Sequence, residues 1–142
     1  MTNAPISGPA ALAALKARVD ALYLNYIFPV LSTLRIGEDA SACAREADLL
    51  EAAQAAGILV RRYILPADVP MSDAEELIRS VNADMLLSSL LLIRPMPETL
   101  DPEVLEQRID PAKRIAAPAL PGEDPIPTLL SRVADAAERK AL

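Results

Sequence analysis

The run at residues 85–97, MLLSSLLLIRPMP, constrains the fold more than any other stretch of the chain. It is apolar over most of its length, carries no aromatic residue, and stops at Pro95 and Pro97. A continuous apolar run bounded in this way suits a strand buried on both faces, as in a parallel sheet covered by helices. Proline cannot donate to a ladder and fixes its own φ, so Pro-Met-Pro ends the strand and stiffens the loop behind it. Ligands of open α/β sheets bind beyond the carboxyl ends of the strands, so a site is expected at residues 93–97.

The flanking sequence supplies the helices such a strand needs. Ser7 reads as an N-cap with Pro9 in the first turn, followed by Leu12, Leu15, Val19 and Leu22 on one apolar face. Residues 26–36, YIFPVLSTLRI, read as a strand rich in β-formers, with Pro29 near its start. Gly37-Glu38-Asp39 reads as a turn, Asp39 or Ser41 as the cap of a second helix, and Gly57 as its C′ residue. Residues 58–65 give a second strand. Ser72 and Glu75 form a capping box opening a third helix, with Leu77, Ile78 and Val81 inward. Asp101-Pro102 opens a short helix with Val104 and Leu105 inward, ended by Asp110-Pro111. Residues 116–124 read as a loop, and Asp124-Pro125 opens a last helix with Ile126, Leu130, Val133 and Ala137 along one face.

This alternation predicts an α/β fold: a three-layer domain with a small parallel sheet of about three main strands flanked by helices and joined by right-handed crossovers. A C-terminal helix packs back on the domain. One domain is expected over residues 1–142, divided into a core unit at 1–117, a loop at 118–124 and the helix at 125–142.

With 14 basic and 20 acidic residues the net charge is −6, and no basic patch stands out. Nucleic acid and anionic membrane are therefore excluded as expected partners, because both need clustered Lys and Arg. The chain has no histidine and one cysteine, Cys43, which removes the usual zinc sites, imidazole triads and any intrachain disulfide. Cys43 reads as a small packed side chain. Residues 1–9 do not resemble a signal peptide and no run reaches membrane-spanning length, so the expected location is cytoplasmic.

Six short motifs follow one another in order: Gly37-Glu38-Asp39-Ala40-Ser41, Ala56-Gly57-Ile58, Leu65-Pro66, Val81-Asn82-Ala83-Asp84, residues 90–97, and Ile109-Asp110-Pro111-Ala112-Lys113. Together they resemble the catalytic domain of the bifunctional methylenetetrahydrofolate dehydrogenase/cyclohydrolase family. Residues 120–128, LPGEDPIPT, resemble a further family motif, Val-Pro-Gly-Gly-Val-Gly-Pro-Met-Thr, with Pro121, Gly122 and Thr128 in register. In the family that motif follows a nucleotide-binding domain, so the resemblance implies a catalytic domain with no Rossmann domain. Four glycines cannot supply a Gly-x-Gly-x-x-Gly fingerprint, and no NAD(P) site or other cofactor is expected.

The resemblance also places the family's reactive groups. Counted from Ser41, the family's pterin-stacking tyrosine corresponds to Ala44, its lysine to Asp48, and the glutamine supporting that lysine to Ile93. The Asp-Val-Asp-Gly after Lys113 reads Arg114-Ile115-Ala116-Ala117, so both carboxylates are gone. Pro95 and Pro97 persist but shape the loop. The candidate pocket positions are thus Ser41, Ala44, Asp48, Ile93, Arg94, Pro95, Pro97, Arg114, Pro121 and Gly122. Every carried-over reactive group is lost or inverted, and general acid–base work needs such a group within hydrogen-bond reach.

Three functions stay open. The first is a non-catalytic relative of the family that binds a tetrahydrofolate derivative or small ligand, or regulates one-carbon enzymes. The second is an interaction module that pairs with itself or with a protein of one-carbon metabolism. The third is a small enzyme of altered chemistry using Asp48 and Arg114.

Overall fold

The computed structural model describes residues 8–115 and 125–141. The elements, in order, are α1 (Gly8–Leu24), β1 (Val30–Ile36), α2 (Ala40–Ala56), β2 (Leu59–Leu65), α3 (Met71–Ala83), β3 (Leu90–Leu92), α4 (Pro102–Arg108) and α5 (Pro125–Ala141). The strands form one parallel sheet in the order β2-β1-β3. Register runs from Val30 beside Leu59 to Ile36 beside Leu65, and from Ser32 beside Leu90 to Leu34 beside Leu92. The expected α/β architecture, with parallel strands and flanking helices, is the one observed.

Because side chains alternate along a strand, the sheet feeds two cores. On one face Leu31 and Ile93 pack with Val19 of α1, Leu49 of α2, and Leu130 and Val133 of α5. On the other, Leu34, Ile36, Leu90 and Leu92 pack with Ile78 of α3 and Leu105 of α4. The apolar face expected for α5 is therefore in place. Its polar face is not simply solvated: Arg18 of α1 donates to Asp135 and Glu138, both at 2.6 Å, and ties the two helices together.

Three boundaries differ from the sequence reading. The first strand starts at Val30, because Asn25 and Tyr26 close the end of α1 onto the Leu22 and Tyr23 carbonyls and Tyr26 turns left-handed (φ 59°). The apolar run at 85–97 yields a strand of only three residues. Met85 and Leu86 form an exposed turn, pinned by the Leu86 N–H on the Asp84 carboxylate. The capping box at α3 does not form. Its first-turn amides at Asp73 and Ala74 are taken by the Pro70 carbonyl, and Glu75 reaches Arg108 instead. Ser7 and the 118–124 loop lie outside the described residues.

Candidate functional site

The strand exits converge as expected of a parallel sheet. β1 leaves through Gly37, β2 through Pro66 and Ala67, and β3 through the Arg94–Pro95 cis peptide. Gly37 takes φ +82°, and a Cβ there would stand 3.3 Å from the Ala67 Cβ and 3.5 Å from Pro97. Glycine is needed for both the backbone conformation and the close approach. Beyond these exits lies an open cleft of about 530 Å³, lined by Ala67, Asp68, Val69, Pro70, Met71, Pro97 and Thr99.

Below the exits, on the α2 side of the sheet, sits a buried polar cluster. Glu46 of α2 is 1% exposed and accepts from Arg35 Nε (3.0 Å), Thr33 Oγ1 (3.1 Å) and Arg62 Nη2 (2.8 Å). Arg35, also buried, donates its other nitrogen to the Gly37 carbonyl at 2.5 Å. Burial by itself would push the Glu46 carboxyl up; the bonds from Arg62, Arg35 and Thr33 overcome it and hold the group below its ordinary value. The Arg35 guanidinium is pushed up, chiefly by Glu46. The sequence reading missed this cluster, although two signals pointed to it. Thr33 and Arg35 are polar at alternate positions of a buried strand, and Glu46 falls on the Ala42–Leu49–Ala53 face of α2.

The expected pocket residues separate. Ser41, Ala44 and Asp48 lie on the exposed face of α2. Ile93 is buried among apolar side chains, one step beyond the Leu34–Leu92 pair and therefore beside Arg35 in register. Pro97 lines the cleft, and Pro95 shapes its approach. Arg94 pairs with Glu103 (2.9 Å) and Glu106 (2.8 Å) of α4. Arg114 donates to the carbonyls of Glu106, Gln107 and Ile109, closing the end of α4. Lys113 does the same for α3, at the carbonyls of Val81, Asn82 and Asp84. Cations favour helix C-termini because the last carbonyls lack partners, so both side chains serve the fold. Asp48 lies on α2, whereas Arg114 bridges to Leu90 beside β3 and spends its guanidinium on carbonyls at the end of α4. Cys43 is half-buried. Pro121 and Gly122 lie outside the described residues.

Two of the three strand-following helices cap their first amides with a carboxylate. A pyrophosphate binds free amides at a helix N-terminus. At α2 those amides are taken by the Asp39 carboxylate, which accepts from the Ser41 and Ala42 N–H groups at 3.0 Å. At α4 Asp101 does likewise for Glu103 and Val104. Both of these positions already hold a negative charge, whereas the N-terminus of α3 has no side-chain cap.

A family model, tetrahydrofolate dehydrogenase/cyclohydrolase catalytic domain, matches residues 8–115. Among curated relatives, the chain is 35% identical over 101 residues to the bifunctional protein FolD of Lactobacillus delbrueckii subsp. bulgaricus, covering 71% of this chain and 36% of that protein. It is 32% identical over 120 residues to the FolD protein of Nitrobacter hamburgensis, covering 81% and 41%. Among solved structures, the bifunctional FolD enzyme of Campylobacter jejuni superposes with a TM-score of 0.70 at 18% identity, over 74% of this chain and 37% of that one. The Trypanosoma brucei enzyme, solved with NADP cofactor and inhibitor, gives 0.69 at 25% identity, over 73% and 36%. The chain therefore spans roughly two fifths of the length of these curated relatives. Among the described residues, no helix is long and apolar enough to cross a membrane.

Proposed function

The chain belongs to the tetrahydrofolate dehydrogenase/cyclohydrolase family through its catalytic domain, and from that premise we propose that it is a non-catalytic member. In this reading it binds a folate or similar small ligand, or regulates a protein of one-carbon metabolism. One observation carries the proposal: the polar groups nearest the sheet's exit are closed on one another. Ile93 stands where the resemblance expects a glutamine, and beside it Arg35 is held by Glu46. Glu46 already accepts from three donors and has almost no solvent contact, so it is not placed to exchange a proton with a ligand. At the same exits lies an open cleft, with a volume within the range of small-molecule pockets. Binding without turnover is what this combination supports.

The test is thermal unfolding of the chain titrated with tetrahydrofolate. A ligand selective for the native state raises stability by about 2.7 kcal/mol at a hundredfold excess over Kd. A melting temperature that climbs with ligand supports the reading. A flat response across the titration removes folate as the ligand.

A second reading, a docking module, is favoured by where the exposed apolar side chains fall. Leu24, Tyr26, Phe28, Leu59, Met85 and Leu86 all lie at the N-terminal ends of the strands, opposite the cleft. Sedimentation at several concentrations tests whether that end pairs with a second copy.

A further inference from the structure

We propose that the outer edge of β2 is a docking site for an extended segment of a partner protein, one that alternates apolar and acidic side chains and adds to the sheet as a fourth strand. The inference is independent of the folate reading.

β2 is an edge strand of seven residues. The Leu59 N–H donates to the Pro29 carbonyl at its start, and the Leu65 carbonyl accepts the Gly37 N–H at its end. Its odd-numbered residues therefore turn their backbone groups toward β1. In a parallel strand the alternate residues turn theirs the other way, so Val60, Arg62 and Ile64 present N–H and C=O groups outward. Among the described residues no strand takes them. Strand addition uses such a row, with main-chain bonds giving affinity and alternate side chains giving selectivity.

The surroundings match an added strand on both faces. On the α2 face a groove of about 460 Å³ runs beside the edge, lined by Leu50, Gln54 and Gly57 together with Ile58, Leu59, Val60 and Arg62. Leu59 and Ile64, 52% and 49% exposed, flank the strand with apolar surface. On the other face Arg61 is exposed and has no acidic partner among the described residues. Side chains alternate between faces, so an added strand can lay apolar residues in the groove and acidic ones beside Arg61.

Charge selects among occupants. Arg62 shares one carboxylate, Glu46, with Arg35, which leaves that cluster with an excess positive charge. The β2 edge is thus locally cationic on a chain whose net charge is −6. A second copy related by a twofold axis would lay β2 antiparallel on itself and set arginines against arginines, which is unfavourable. Arg61, which guards the edge against self-pairing, is also the side chain that meets the acidic residues of an added strand.

Fluorescence anisotropy with short labelled peptides tests this, one alternating valine and glutamate and one alternating valine and lysine. The glutamate peptide is expected to bind and the lysine peptide not. Arg61→Glu and Ile64→Pro are each expected to weaken binding by about tenfold or more. Arg61→Lys should retain it, and the amide resonances of Val60, Arg62 and Ile64 should move on titration. Ile64→Pro removes an outward N–H without breaking a bond to β1, and Arg61→Glu changes an exposed side chain, so loss of folding in one leaves the other to decide. Equal binding of both peptides, binding of neither, or binding indifferent to both substitutions overturns the proposal. A dimer that dissociates on Ile64→Pro overturns it too, by giving the edge to a second copy.

Discussion

Arg35 on β1 and Glu46 on α2 meet at 3.0 Å between sheet and helix, both nearly cut off from solvent. Removing one charge of a buried pair strands the other, at a cost of about 3–5 kcal/mol, whereas replacing the pair by apolar residues is often neutral or better. Glu46→Ala is therefore expected to lose about that much in urea denaturation. Arg35→Leu combined with Glu46→Leu should recover most of it, since Arg62 is half-exposed and keeps its hydration.

Acid should act on the same cluster. Glu46 in the folded chain is held below its ordinary value of 4.5, as burial is outweighed by Arg62, Arg35 and Thr33. A depressed carboxyl stabilises the fold fully above its unfolded value and ceases to do so as pH falls through the folded one. Asp39, held down by the Ala42 N–H and the Ser41 hydroxyl, acts in the same direction. The melting temperature should be flat above about pH 5 and fall below about 4.5, and Glu46→Gln should flatten that acid limb.

Gly37 and Gly57 both take positive φ, yet alanine should separate them. At Gly57 (φ +81°) a Cβ meets Val19 at an ordinary 3.7 Å, so only backbone strain of about 1–2 kcal/mol is expected. At Gly37 the same strain is joined by Ala67 at 3.3 Å, which sits on the β2 exit. Gly37→Ala should lower the unfolding free energy by more than Gly57→Ala, as read from paired denaturation curves.

Arg114→Ala should unfasten the end of α4 from its three carbonyl contacts, at a cost of about 1–3 kcal/mol. Native-state hydrogen exchange should quicken in α4 and not in α2. An Arg114 that instead gripped a ligand would leave exchange in α4 unchanged.

Much of the architecture was legible in the chain. A buried strand within the apolar run at 85–97, the Asp39 cap and the Gly57 C′ residue follow from local rules, although the strand is shorter than the run. The capping box at Ser72 failed because the helix starts at Met71 with Pro70 at its N-cap, which puts Ser72 inside the first turn rather than at its cap. The candidate site was harder to read. Position on a helix face decided it: a shift of two residues separates exposed Asp48 from buried Glu46. Arg114 reads as a pocket position in the sequence, but its partners are carbonyls at the end of α4, as those of Lys113 are at the end of α3, and only the folded chain brings them near.

The central proposal is a family member with a ligand cleft and without the family's chemistry. Hydrolysis of methenyltetrahydrofolate by the purified chain, followed against buffer, tests it most directly. The account predicts a rate indistinguishable from the uncatalysed one. A rate well above background that disappears in Asp48→Asn would contradict it, returning a working carboxylate to α2.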